Sequence, residues 1–353
     1  MKFRFDILRL FALSSLFFWT GCNDKEDIDP SLPTEFENGI FISNEGNFGD
    51  GDASLSFYDP EVDRVYNNVY RLANEGMELG DVVQSIHLDD ERVFLLVNNS
   101  NKVEALNLEN MVTDYTISDL KLPRYMTTSS TKGYISEWVS FSDIGQVSIV
   151  DLKTGIIQKS IQTDYGAEGV IIANNYLFVS NNFSTTVSII DLASESVIKN
   201  IEIGSSPGEM VIDKNGNVWL ICGGGYDLDY NPLGDGKLIE IDPSILEVSK
   251  VIALGMNVPT KIAIDPNGEI IYYFSGTSAY ALNVNATTPP ATSLIEEDKA
   301  IGFWGIGVDD SGVIYLSDSK GFVENGEVFV YKPDGSFITR FEVGRGPNGF
   351  GFN

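Results

Sequence analysis

Residues Glu168–Gly204 read EGVIIANNYLFVSNNFSTTVSIIDLASESVIKNIEIG. The stretch divides into four short runs rich in Val, Ile, Tyr and Phe: 169–173, 176–181, 187–192 and 197–203. Each run is bounded by Asn, Ser, Thr or Gly, the composition of strands separated by tight turns. Asn174-Asn175 suits a two-residue hairpin, because asparagine tolerates the positive φ such turns require. An isolated four-stranded antiparallel sheet cannot bury both faces. Copies of this unit therefore have to stack around an axis, as the blades of a β-propeller.

Copies are present in both directions. The third strand of each unit ends at Tyr58-Asp59, Leu106-Asn107, Val150-Asp151, Ile190-Asp191, Ile241-Asp242, Leu282-Asn283 and Tyr331-Lys332. Successive landmarks are 48, 44, 40, 51, 41 and 49 residues apart, close to the ~40–50 residues of a four-stranded blade. Seven landmarks predict an all-β, seven-bladed propeller over 39–353. In the first unit, strands are expected at 39–44, 53–59 and 64–70, with no first strand of its own. In the sixth, they are expected at 261–265, 270–274, 279–283 and 292–295. Pro347–Asn353 resembles the first-strand openings at Pro207 and Pro259. It is expected to pair with blade one and close the ring, leaving no open sheet edge there.

The N-terminus has a different character. Lys2, Arg4 and Arg9 precede an apolar run, Leu10–Trp19, followed by Thr20-Gly21-Cys22. This is the layout of a secretory signal, and the run is shorter than the roughly 20 residues a membrane-spanning helix needs. The small residues before Cys22 resemble the bacterial lipobox, in which the cysteine is lipidated and becomes the mature N-terminus; Trp19 departs from the usual Leu. The resemblance implies a signal peptide over 1–21, with lipidated Cys22 and an acidic, proline-punctuated tether over 22–38. Lys25-Glu26-Asp27 is similar to the export signal of Bacteroidetes lipoproteins displayed on the outer membrane. An ordinary signal peptide with an incidental cysteine is the competing reading. Cys222 is then left without a partner and reads as a small buried hydrophobe.

The chain carries a formal charge of −28, and cleavage before Cys22 would leave 20 basic against 50 acidic residues. Nucleic-acid binding needs a basic surface, so that class is excluded.

In a propeller, the loops joining second to third strands and those joining one blade to the next emerge on the same face. Here these loops carry Phe48, Trp138, Phe141, Phe183, Tyr226, Tyr230 and Phe322, together with Met77, Tyr125, Tyr165, Phe303 and Trp304. Loops on the other face are short and polar. Large rings at a rim suit a planar or macrocyclic ligand; blade packing or a protein interface is the alternative use. Asp227, Asp229 and Asn231 alternate like oxygen ligands opening a calcium loop. However, Pro232 replaces the turn glycine and Glu240 misses the closing position, so a solvated acidic loop is the preferred reading and calcium the alternative. His87 is the sole histidine, which excludes multi-histidine metal sites and reads as structural. Glu45, Glu137, Glu168 and Glu209 lie where they would line a central opening, in part paired with Arg71, Arg124 or Arg345.

The segments YLFVSNN, STTVSIIDL and VIKNIEIGSSP look like the YVTN-type repeat of seven-bladed propellers. The opening GIFISNEGNFGDGDASLSFYDP, after a lipobox and acidic tether, resembles Bacteroidetes surface propeller lipoproteins that include cobalamin-capturing members. That resemblance implies a non-enzymatic, lipid-anchored outer-membrane protein. Such a protein takes a corrinoid as ligand rather than cofactor and passes it to a TonB-dependent transporter. A protein-interaction propeller without a small ligand, and a metal-dependent lactonase or hydrolase, are the alternatives.

Overall fold

The computed structural model describes residues 31–225 and 234–353. The strands form seven four-stranded antiparallel sheets. The opening stretch becomes blade four, with strands Ala167–Ala173, Tyr176–Asn181, Thr186–Asp191 and Ser196–Glu202. Its hairpin is the two-residue turn expected: Asn174 and Asn175 both take positive φ, at 47° and 66°. Within blade four the second and third strands are buried along almost their whole length. The outermost strand alternates exposed and half-buried residues, as a sheet with one solvated margin requires.

The ring closes as the C-terminus suggested. Pro347–Phe352 pairs antiparallel with Ile40–Asn44 and supplies blade one's innermost strand. Blade one's remaining strands are Ser54–Asp59 and Arg64–Tyr66. The chain leaves that last strand earlier than the expected 64–70. Asn68 adopts a left-handed φ of 58°, and Val69–Ala73 forms a short helix that buries Val69 and Tyr70 between blades one and two. Blade six also departs from expectation. Only Ala263–Ile264 pairs as its first strand and Ile295–Glu296 as its last. Upstream, the Thr260 carbonyl accepts a bond from Glu209 N–H of blade five, so 257–261 turns into the ring centre instead of extending the sheet.

Among the described residues, apolar side chains group into seven clusters, one at each blade-to-blade interface. Cys222 is buried in the cluster between blades four and five, where burial pushes its thiol up to about 12. The innermost strands are also tied by hydroxyls. Ser85 donates to the Arg124 carbonyl at 2.6 Å, Ser317 to the Pro347 carbonyl at 2.7 Å, and Ser136 to the Glu168 carbonyl. His87 is structural in setting: its ring lies 6.2 Å from Phe94 and 3.2 Å from the Thr128 hydroxyl, and burial lowers its pKa to about 4.

Candidate functional site

The loop-rich face holds a cavity of about 510 Å³ at the ring centre. Its inner wall is built by a repeated position. The second residue of the first strand supplies Gln84 in blade two, Arg124 in blade three, Glu168 in blade four and Trp304 in blade seven, and all four line the cavity. At this point the pairing register of the first strand slips in blades two, three, four, five and seven. Such bulges bend a strand and re-aim a side chain, which turns these residues toward the axis. Blade six contributes Asn257–Lys261 in place of a regular strand start. Its first-strand pairing begins only at Ala263.

Polar groups in the wall are connected to one another. Arg124 makes a two-pronged contact with Glu168 at 2.9 and 2.8 Å, nearly out of solvent. Trp138 lies on the Arg124 guanidinium, 3.7 Å from the ring centroid, and its Nε1 donates to Glu168 at 2.7 Å. Across the ring, Trp304 Nε1 donates to Glu45 at 2.9 Å, and Asn348 Nδ2 donates to the same carboxylate oxygen at 2.8 Å. Tyr125 donates its hydroxyl to Glu209 at 2.7 Å; burial, reinforced by Glu209, holds that phenol well above its ordinary range. Lys261 Nζ donates to the Asn348 carbonyl at 2.7 Å and lies 3.7 Å from Glu209.

The rim aromatics expected from sequence divide into several groups. Trp138, Phe141 and Phe183 form one cluster, with centroids 5.6, 4.5 and 6.0 Å apart, and Phe141 is 78% exposed. Trp304 and Phe322 form a second, edge-to-face pair at 5.3 Å. In a ring of seven, blade seven stands opposite blades three and four, so the two groups flank the cavity mouth from opposite sides. Phe48 and Tyr165 are exposed on the same face, away from the cavity lining. Phe303 is a correction: it is buried in the core between blades six and seven, against Phe274 and Phe329. In a strand neighbouring side chains point to opposite sides, so placing Trp304 at the cavity sends Phe303 into the core. Tyr226, Tyr230 and the suggested calcium ligands Asp227, Asp229 and Asn231 lie outside the described residues, as does Cys22. Among the described residues no group of three or more His, Cys, Asp or Glu is arranged to hold a metal.

Of the four glutamates singled out by position, Glu45 and Glu168 line the cavity and Glu209 stands directly behind it. Glu137 is turned away. It is buried against the Ser148 hydroxyl and the Lys121 N–H, and burial raises its pKa. Of the three arginines named as partners for these glutamates, Arg124 pairs with Glu168, whereas Arg345 holds Asp50 and Asp52 on an outer loop and Arg71 pairs with Glu78. Sequence reading missed Gln84, Asn257 and Asn348. The signal for two of them was available, because Gln84 and Asn348 recur at the second position of their first strands.

A model of the family described as Domain of unknown function (DUF5074) matches residues 38–325. The chain belongs to this family. That match spans most of the DUF5074 chain's propeller, from the start of blade one into the second-to-third-strand loop of blade seven. No curated protein matches it. Among solved structures, it is similar to a quinonprotein alcohol dehydrogenase-like protein from Bacteroides thetaiotaomicron, at 16% identity and a TM-score of 0.69. The alignment covers 90% of this chain and 79% of that one. A functionally unknown protein from Desulfotomaculum acetoxidans aligns at 11% identity and a TM-score of 0.68, over 90% and 99% of the two chains. Hydrazine synthase of Kuenenia stuttgartiensis aligns at 14% identity and a TM-score of 0.61, over 75% and 88%. At these identities the likeness is one of fold.

Proposed function

We propose that this DUF5074 protein is a binding module: a lipid-anchored propeller on the outer membrane. It captures a small corrinoid-type nutrient on its loop-rich face and passes it to a TonB-dependent transporter. The observation that carries the binding reading is the pair of tryptophan–glutamate contacts, Trp138–Glu168 and Trp304–Glu45, flanking one cavity. Each hydrogen bond fixes an indole that would otherwise rotate, so a ligand meets a pre-organised rim at little entropic cost. The cavity falls within the ~300–1,000 Å³ typical of small-molecule sites. A ligand larger than the cavity would lean on the exposed ridge of Trp138, Phe141 and Phe183. The corrinoid identity, the anchor and the transporter come from the resemblance of the first unit and the lipobox.

Catalysis is the weaker reading because the central carboxylates are already engaged. Glu168 is held by Arg124 and Trp138, Glu45 by Trp304 and Asn348, and Glu209 by Tyr125 and the Ile262 N–H. A second reading, docking of a protein partner, is favoured by three exposed loop tips on the same face: Phe48, Phe141 and Val323, at 75, 78 and 79% exposure. Titrating the mature protein with cyanocobalamin while following tryptophan fluorescence separates the two. Two of the three tryptophans beyond the signal segment, Trp138 and Trp304, sit at the rim. Saturable quenching at or below micromolar ligand supports corrinoid capture. Unchanged fluorescence, with no calorimetric heat, overturns it and leaves the protein-docking reading.

A further inference from the structure

The charged groups around the cavity do not balance. Arg124 is committed to Glu168 through two bonds. Lys261 is committed to the Asn348 carbonyl, with Glu209 beside it. Glu45 accepts from two neutral donors, Trp304 Nε1 and Asn348 Nδ2, and among the described residues no cation pairs with it to balance its charge. Counted together, Arg124 and Lys261 against Glu45, Glu168 and Glu209 leave one negative charge at the ring centre.

Asn257 adds a second acceptor. Its Nδ2 donates to the carbonyls of Gly225 and Gly234 at 3.2 and 3.3 Å, which fixes the orientation of the amide. The other end, Oδ1, is buried and has no hydrogen-bond partner among the described residues, on a residue that lines the cavity. A buried acceptor left unpaired is costly, and a ligand N–H that reaches it recovers that cost.

From this we infer that the cavity selects ligands by the chemistry of their polar arms. It takes flat or ring-shaped molecules bearing N–H donors, such as primary amides or ammonium groups, and rejects the same ring bearing carboxylates. The inference rests on the small-ligand reading above and sharpens it. A carboxylate offers acceptors only. In this cavity it would meet the unbalanced charge of Glu45 while the two cations are already occupied. The field of the whole chain, at −28, works in the same direction.

The probe is a matched pair: cyanocobalamin, whose periphery carries primary amides, and its monocarboxylic acids, made by hydrolysing one amide. Affinities of both are measured at low and at high salt, for the wild-type chain and for Glu45→Gln. The isosteric amide keeps an oxygen for Trp304 and removes the charge. The expected result is that the tightest-binding acid isomer is weaker than the amide by about tenfold or more at low salt, as one like-charge pair across a partly buried site would give. The gap should narrow in high salt and in Glu45→Gln. Equal affinity for amide and acid in the wild type overturns the inference while leaving corrinoid capture intact. A gap that Glu45→Gln leaves unchanged also overturns it. Failure of both forms to bind overturns the corrinoid reading, and this inference with it.

Discussion

Asn348 shows how much of this protein depends on single polar side chains. It is 1% exposed, and its Nδ2 donates to the Val83 and Gln84 carbonyls of blade two and to Glu45 at the cavity. Its Oδ1 accepts from the Ser43 hydroxyl at 2.6 Å. One amide thus joins the closing strand to blades one and two and positions a cavity carboxylate. Asn348→Ala would leave two buried carbonyls short of a donor. It should cost about 3 kcal/mol in chemical denaturation, whereas a surface-like cost below ~0.5 kcal/mol would show that the contact is incidental. His87 makes a pH-dependent contribution. The unfolded chain takes up a proton near pH 6.5, while burial keeps the folded imidazole neutral down to about pH 4. The unfolded state therefore binds more protons across that window, so this contribution is fully present above pH 6.5 and is lost as pH falls toward 4. Its size is on the order of 3 kcal/mol. His87→Gln should flatten that part of the stability profile between pH 7 and 4; parallel profiles for both proteins would contradict the assignment.

At the scale of elements, the strands and their turns were legible because local chemistry and tertiary context agree. Asn174 and Asn175 tolerate the φ values their hairpin imposes, and the Val, Ile and Phe runs around them fall into buried strands. Reading failed where a long-range contact decides. The run 64–70 looks extended, yet burying Val69 and Tyr70 between two blades is achieved by a helical turn. Phe303 and Trp304 look alike as neighbouring loop aromatics, and strand alternation alone separates core from cavity. The Arg124–Glu168 pair spans 44 residues, one blade period, so it is visible only once the units are superimposed. The closing strand yields a direct test. A chain ending at Gly346 loses the partner of Ile40–Asn44 and removes Phe350 and Phe352 from the last blade interface. Its thermal midpoint should fall by at least about 10 °C, or the chain should fail to fold. An unchanged melting curve would mean that the ring does not depend on this strand.

At the scale of the whole molecule, the blades are held at both the inner and outer margins. Inside, serine hydroxyls on first or second strands donate to first-strand carbonyls of the next blade. Outside, Lys159, Lys199 and Lys250 of three successive outer strands donate to carbonyls on the following blade: those of Glu195, Leu246 and Val284. With both margins fixed, the first strands of blades two, three and four are held where their bulges turn a side chain inward, so the cavity is a property of the ring and not of any one blade. Ring-scale assembly explains why spacing revealed the architecture while part of the cavity's membership, Gln84 and Asn257 among it, stayed hidden. Periodicity gives blade number, but which repeated position faces the axis depends on register slips that no single unit displays. The most direct test is a crystal structure of the mature protein saturated with cyanocobalamin. The expected result is ligand density over the central cavity of the loop-rich face, touching Trp304 on one side and Trp138 or Tyr125 on the other. Density on the opposite face or at a blade edge, or an empty cavity in crystals grown at saturating ligand, would contradict it.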